Sequence, residues 1–264
     1  MSADQLSRFT FAVEAAKRAA KLTLDRYQDD ALRIDTKLDR TLVTEADRNA
    51  ETLLRELLAE KFPKDAIVGE EFGNITGTTG WTWYLDPIDG TQAYARGVPL
   101  FGTLVGATLD GVSTIGVVVL PALNEAVYAA KGTGATWERE VFSAKPRRST
   151  ARVSSVRDLK SALFCTTYGK NFSLLPELTA TAEVSRGWGD CYGYALVATG
   201  RAEIMIDPQM ASWDAGPMPV LLAEAGGRYT SFDGRSAVDA GNGVATNGHL
   251  HDEILKMLAT LNRR

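Results

Sequence analysis

Asp86-Pro87-Ile88-Asp89-Gly90-Thr91 closes a short apolar segment, residues 81–85, and offers two carboxylates three residues apart. Pro87 fixes its own φ and biases Asp86 toward extended geometry. Gly90 permits a tight bend, so both acids are predicted on one side of a turn. Hard divalent cations such as magnesium take oxygen ligands and retain water, and two carboxylates flanking the Ile88 carbonyl suit such an ion. Asp before Pro and Asp before Gly are also ordinary turn formers, so the reading depends on what stands elsewhere in the chain.

Two other acidic segments stand on either side of that turn. Gly69-Glu70-Glu71 ends the apolar segment 66–69, and Trp213-Asp214 precedes an apolar helical pattern. Taken singly, the first is a polar strand end and Asp214 a helix N-cap. Thr44-Glu45-Ala46-Asp47 reads as a capping box, which by itself accounts for Asp47. If these acids converge, they must carry cations, because unpaired negative charges close together repel or protonate.

Helical spacing of Leu6, Phe9, Val13, Ala16, Ala20 and Leu24 predicts a helix over 3–28, and Leu53, Leu54, Leu57 and Leu58 one over 44–62 that Pro63 ends. Strands are predicted at 66–69 and 81–85. A meander follows over 100–109, 112–120 and 125–130, with Asp110-Gly111 as a hairpin turn and a further strand after Gly134. The basic stretch 143–150 reads as a solvated linker between an N-terminal α+β half, 1–145, and a C-terminal α/β half, 150–264. In the second half, strands at 163–166, 183–185, 203–206, 228–231 and 244–246 alternate with helices at 191–198, 218–225 and 249–261, which suggests layered α/β packing.

The composition is that of a globular enzyme-sized chain: 264 residues, 45% hydrophobic and 23% charged. No apolar run is long enough to span a membrane, and the start, MSADQLSRFTF, lacks the pattern of a secretory signal, so a cytoplasmic location is expected. The net charge of −4 disfavours nucleic acid as the partner. Two cysteines, Cys165 and Cys191, are expected as reduced, buried thiols. His249 and His251 lie near a helix start with no nucleophile motif beside them.

The Gly-Glu-Glu segment, the Asp-Pro-Ile-Asp-Gly-Thr turn and the later Trp-Asp, in this order, resemble the inositol monophosphatase superfamily. Lys37, residues 44–47, LVATG at 196–200 and EAGG at 224–227 match as well, so the resemblance covers nearly the whole chain. It implies a layered αβαβα sandwich, a homodimer, and hydrolysis of a small phosphate monoester with two or three magnesium ions. Manganese also accepts such oxygen ligands. Glu70, Asp86 and the Ile88 carbonyl would hold one ion, and Asp86, Asp89 and Asp214 a second; Glu70, through waters, would hold a weaker third. Thr91, paired with Asp47, would orient and deprotonate a metal-bound water, with Glu70 as a further catalytic residue; the Gly90 and Thr91 amides would donate to the phosphate, and Asp89 would also meet the substrate.

Around Arg186-Gly187-Trp188-Gly189-Asp190 the chain departs from the inositol pattern and resembles the Gly-Asp feature of histidinol-phosphate phosphatases in the same superfamily. Histidinol carries an ammonium and an imidazole, which suits an added carboxylate at Asp190; Asp207 matches a substrate-facing acid, and Arg186 is a further candidate contact. The plainer readings are Asp190 as a helix cap, Trp188 as packing and Arg186 as an ion pair. Inositol 1-phosphate is the alternative substrate, and a non-catalytic protein- or RNA-binding role on the same fold is the alternative of another class. A haloacid dehalogenase-type phosphatase is disfavoured, because its two aspartates stand two residues apart whereas Asp86 and Asp89 stand three apart.

Overall fold

A computed structural model of the chain describes residues 1–38, 40–167 and 175–261. Helix α1 (Ala3–Arg26) is followed by the hairpin β1 (Ile34–Thr36) and β2 (Leu42–Thr44), and then by α2 (Glu45–Lys61). The buried face of α1 includes Ala16 and Ala20 of the predicted stripe, with Phe9 and Val13 packed at its edge, but is centred on alanines. Phe11, Ala12, Ala15, Ala16, Ala19 and Ala20 face inward while Leu6 is 49% exposed, because a stripe of alanines lets α1 lie close on α2 and the sheet beneath.

Next come β3 (Ala66–Gly69), β4 (Gly73–Ile75), β5 (Trp81–Asp89), the single turn α3 (Thr91–Tyr94), β6 (Gly102–Leu109), β7 (Val112–Leu120), β8 (Glu125–Ala130), β9 (Ala135–Arg139) and β10 (Arg147–Ala151). They form one sheet in the order β10-β9-β8-β7-β6-β5-β3-β4, antiparallel except for the β3–β5 pair. The expected linker is therefore partly an edge strand: β10 pairs with β9, and Arg148 Nε lies 2.8 Å from Glu138, whose carboxylate is fully buried. Charge on an edge strand also discourages pairing with another chain.

The remaining elements are β11 (Leu163–Thr166), α4 (Leu175–Thr181), β12 (Val184–Arg186), α5 (Asp190–Ala198), β13 (Ile204–Asp207), α6 (Ser212–Ala215), α7 (Met218–Glu224), β14 (Arg228–Thr230), β15 (Gly243–Thr246) and α8 (His251–Leu261). The five strands order as β12-β11-β13-β15-β14.

Alternation along the central strands sets the layers. Val105, Ala107, Val117 and Val119 pack with α1 and α2, whereas Leu104, Val118 and Leu120 pack with α5 and α7. The opposite side of that middle helical layer meets Cys165, Met205 and Ala245 of the second sheet, and Leu178, Ile254 and Leu258 cover its outer face. The result is the αβαβα sandwich.

One close approach lets the middle layer sit low. Gly106 and Gly116 are cross-strand partners on β6 and β7, and a Cβ on either would lie 2.4 Å or less from backbone atoms of Gly216 or Pro217. The break between α6 and α7 rests on this flat patch, and α6 carries Asp214. Both cysteines are buried and free. His251 is fully buried between Thr230 and Thr246 hydroxyls, at 2.9 and 3.0 Å, a packing role.

Candidate active site

Residues three apart on a regular strand face opposite ways, so Asp86 and Asp89 reach one side only because β5 is irregular. Its register against β6 shifts between them, and Thr103 Oγ1 donates to the Pro87 carbonyl at 2.8 Å across the bulge. Ile88 N–H donates back to Asp86 Oδ1 at 3.0 Å, and Gly90 follows in the left-handed region at φ +85°. The turn predicted from Pro87 and Gly90 is thus the end of a strand with an extra residue.

Asp214 arrives from the other half of the molecule, in the first turn of α6, where its Oδ2 accepts the Ala211 N–H at 3.1 Å. Carboxylate oxygens of Asp86, Asp89 and Asp214 lie within 4.8 Å of one another. Burial pushes all three carboxyls well up, and the negative neighbours push in the same direction. Cys191 compensates Asp89 in part, with its N–H at the start of α5 and its thiol, and the helix dipole there also favours an anion.

Glu70 lines the same cavity of about 430 Å³, though its carboxylate is engaged by Lys37 Nζ at 2.7 Å, which also lies 2.8 Å from Glu71. Lys37 comes from the loop of the β1–β2 hairpin. Sequence reading noted its match and assigned it no contact, since nothing local marks a partner thirty-three residues away.

Asp47 is fully buried. Its Oδ2 accepts the Thr44 N–H at 2.7 Å and its own N–H donates to Thr44 Oγ1 at 3.3 Å, which is the capping box; Oδ2 also accepts the Thr44 hydroxyl at 2.5 Å, and Oδ1 lies 3.5 Å from Thr91 Oγ1. Thr91 Oγ1 is also 2.9 Å from the Ile88 carbonyl. Its single proton serves one acceptor at a time, so a cation on the Ile88 oxygen would leave Asp47 as the remaining partner. Burial raises the Asp47 carboxyl to about 6 against the lowering effect of the Thr44 bonds.

Of the predicted substrate contacts, Asp89, Gly90, Thr91 and Asp190 line the cavity, together with Gln92 and Trp213, which sequence reading did not assign to substrate. Asp190 begins α5 at φ +52°, with Gly189 as the cap residue, and its N–H donates to Thr167 Oγ1 at 2.8 Å. Its Oδ2 sits 3.3 Å from where a Cβ on Gly90 would be, so the acid stands over the Asp-Gly-Thr turn. Arg186 and Asp207 are not in the lining. Arg186 Nη1 donates to the Ser185 carbonyl at 2.8 Å and its guanidinium lies 5.8 Å from the Trp188 ring. Asp207, at the end of β13, is buried, and burial raises its carboxyl to about 7 against the lowering effect of the Thr167 and Tyr194 side chains.

The donor set is all oxygen, desolvated and short of positive charge, which fits a hard divalent cation. No helix among the described residues is long and apolar enough to cross a membrane. The sequence profile of the inositol monophosphatase family matches residues 4–263. The chain is 44% identical to the histidinol-phosphatase of Mycobacterium tuberculosis, over 98% of this chain and 99% of that one. It is 38% identical to the histidinol-phosphatase of Chlorobaculum parvum, over 89% and 90%. The structure of a Thermotoga maritima IMPase superposes with a TM-score of 0.85 at 26% identity, covering 97% of this chain and 98% of that one. With that profile match spanning nearly the whole chain and an acidic, cation-ready cavity in the fold, the chain belongs to the inositol monophosphatase family and is a phosphoric monoester hydrolase.

Proposed function

We propose that this protein hydrolyses L-histidinol phosphate to L-histidinol and phosphate, using magnesium, with manganese as a substitute. The observation that carries the choice of substrate is Asp190: a desolvated carboxylate over the Asp-Gly-Thr turn, placed to receive a cationic group beside the phosphate. The names of the relatives at 44% and 38% identity support the same choice.

Glu70, Asp86, Asp89, Asp214 and the Ile88 carbonyl are the groups that would hold two or three ions. Such ions, when bound, shield the phosphate charge and acidify a water. The chain's own residues do the rest. Thr91 Oγ1 orients the attacking water and passes a proton toward Asp47 Oδ1, whose carboxyl is poised close to neutrality. The Gly90 and Thr91 N–H groups, at the start of α3 in the cavity lining, would donate to the phosphate oxygens. Asp89 accepts the Cys191 N–H and would be held by a cation, which leaves Asp190 to bind the positive end of the substrate. No covalent phosphoenzyme is required. Arg186 and Asp207 remain proposed contacts that a bound substrate would have to reach by rearrangement. The protein acts in the cytoplasm, as a homodimer.

The test is a panel of histidinol phosphate, inositol 1-phosphate, fructose 1,6-bisphosphate and 3'-phosphoadenosine 5'-phosphate, assayed with and without magnesium. Histidinol phosphate is expected to give the highest kcat/KM, and only with the metal. Equal or better turnover of inositol 1-phosphate overturns the substrate assignment.

A further inference from the structure

One face of α2 reaches from the Thr91 end of the cavity into the arm that carries Glu70. Asp47, Glu51 and Arg55 recur at four-residue spacing, which stacks them along one side of the helix. Asp47 faces Thr91. Glu51, fully buried, accepts the backbone N–H of Glu71 at 2.8 Å and that of Phe72 at 3.3 Å. Arg55 Nε donates to Glu51 Oε1 at 2.7 Å, and Arg55 Nη2 donates to the Gly73 carbonyl. A buried carboxylate is tolerated only when its oxygens are this well supplied with donors.

The arrangement also accounts for Gly69. A Cβ at that position would stand 2.2 Å from Glu51 Oε1 and 2.5 Å from Arg55 Nη2, so a larger residue would push the clamp away. Glu70 is consequently held from both sides. Its own N–H bonds to the Leu85 carbonyl at 3.3 Å, in the strand that bears Asp86, and the peptide groups after it hang from Glu51.

We propose that Glu51, braced by Arg55, is a positioning residue that sets Glu70 against Asp86 and the Asp47–Thr91 pair, and thereby sets how tightly the site takes magnesium. The inference rests on the reading of Glu70 as a cation ligand. It differs from a purely structural role, in which a buried ion pair ties a helix to a strand and its loss lowers melting temperature alone.

The experiment measures magnesium binding by calorimetry, and the magnesium dependence of turnover, on the full chain. Glu51→Ala is expected to weaken magnesium binding by roughly 10–100-fold, as loss of a group orienting a ligand does, while KM for substrate at saturating magnesium stays near wild type. Glu51→Gln retains an acceptor and the shape, and recovers part of that loss. Gly69→Ala reproduces the defect, and the double variant with Glu51→Ala loses less than the sum of the two, because the Glu51 oxygen that the new methyl would meet is already gone. Leu54→Ala, in the core of the same helix, lowers melting temperature and leaves magnesium affinity unchanged. Wild-type affinity in both Glu51→Gln and Gly69→Ala overturns the proposal, as does an equal affinity loss in Leu54→Ala or additive losses in the double variant. If Glu70→Gln binds magnesium like wild type, the ligand reading fails and takes the inference with it; if only Glu70→Gln is impaired, the positioning role alone is lost.

Discussion

Lys37 Nζ lies 2.7 Å from Glu70 Oε1, so the carboxylate expected to meet a metal already has an ammonium for a partner. Burial works against the Lys37 charge, yet its bonds to Glu70 and Glu71 raise its pKa overall. In the cation-free protein this ammonium offsets the repulsion that the acidic cluster would otherwise suffer. Lys37→Met is therefore expected to lower the melting temperature without magnesium by roughly 2–4 °C, the effect of about 1 kcal/mol in a chain of this size. The loss should shrink once magnesium is added. An equal loss with and without the ion, in a thermal-shift titration, counts against the exchange.

The cation-free protein should lose stability as pH rises from about 4 to about 7. Burial holds Asp207 near 7 and Asp47 near 6 in the folded chain, above their ordinary carboxylate values, and Asp86, Asp89 and Asp214 are raised as well. Raised carboxyls mean that the folded state binds more protons than the unfolded one across that window, so unfolding becomes easier with increasing pH. Magnesium should remove most of the slope by binding the ionised acids. Melting temperatures in chelator against pH provide the check, and a curve that rises through this range contradicts it.

Asp47→Asn and Thr91→Ala should each reduce kcat by about 10²–10⁴, the usual worth of a positioned proton acceptor, with KM changed little. Thr91→Ser keeps the hydroxyl and should retain much of the rate. Steady-state kinetics at saturating magnesium decide this, and a kcat within a few-fold of wild type in both loss variants removes the pair from the mechanism.

Asp190→Asn should raise KM for histidinol phosphate roughly tenfold, about 1.4 kcal/mol, and leave KM for inositol 1-phosphate near its starting value. A parallel rise for both esters would mean that the residue shapes the α5 start and does not read the substrate's charge.

Gly106→Ala should cost about 1–3 kcal/mol, as overpacking does, because the methyl meets the backbone of Gly216 and Pro217. Since α6 carries Asp214, the half-saturating magnesium concentration should rise with the loss of stability. Chemical denaturation and a magnesium titration measure the two effects.

Much of this was legible along the chain. The helix starting at the Thr44 capping box, the strands of the meander and the break at Pro63 lie within a residue or two of where local pattern puts them. The inward face of α1 was legible only in part, at Ala16 and Ala20, since leucines and alanines compete at helical spacing and only the neighbouring α2 and sheet turn Leu6 outward. The strand at 147–151 was hidden because Arg148 answers to Glu138, a partner on β9, and Arg147 to Glu140 just beyond it.

Residue order alone determined the acidic motifs, the family they belong to and the local bends that display them, because propensity, turn chemistry and motif spacing act within a few residues. Folding decided the rest: that Asp214 crosses from the second half to stand beside Asp86 and Asp89, that Lys37 reaches Glu70, and that Asp190 enters the cavity while Arg186 and Asp207 do not line it. These relations join segments far apart in sequence, and they follow from which faces the layers bury and how closely small residues allow those layers to approach.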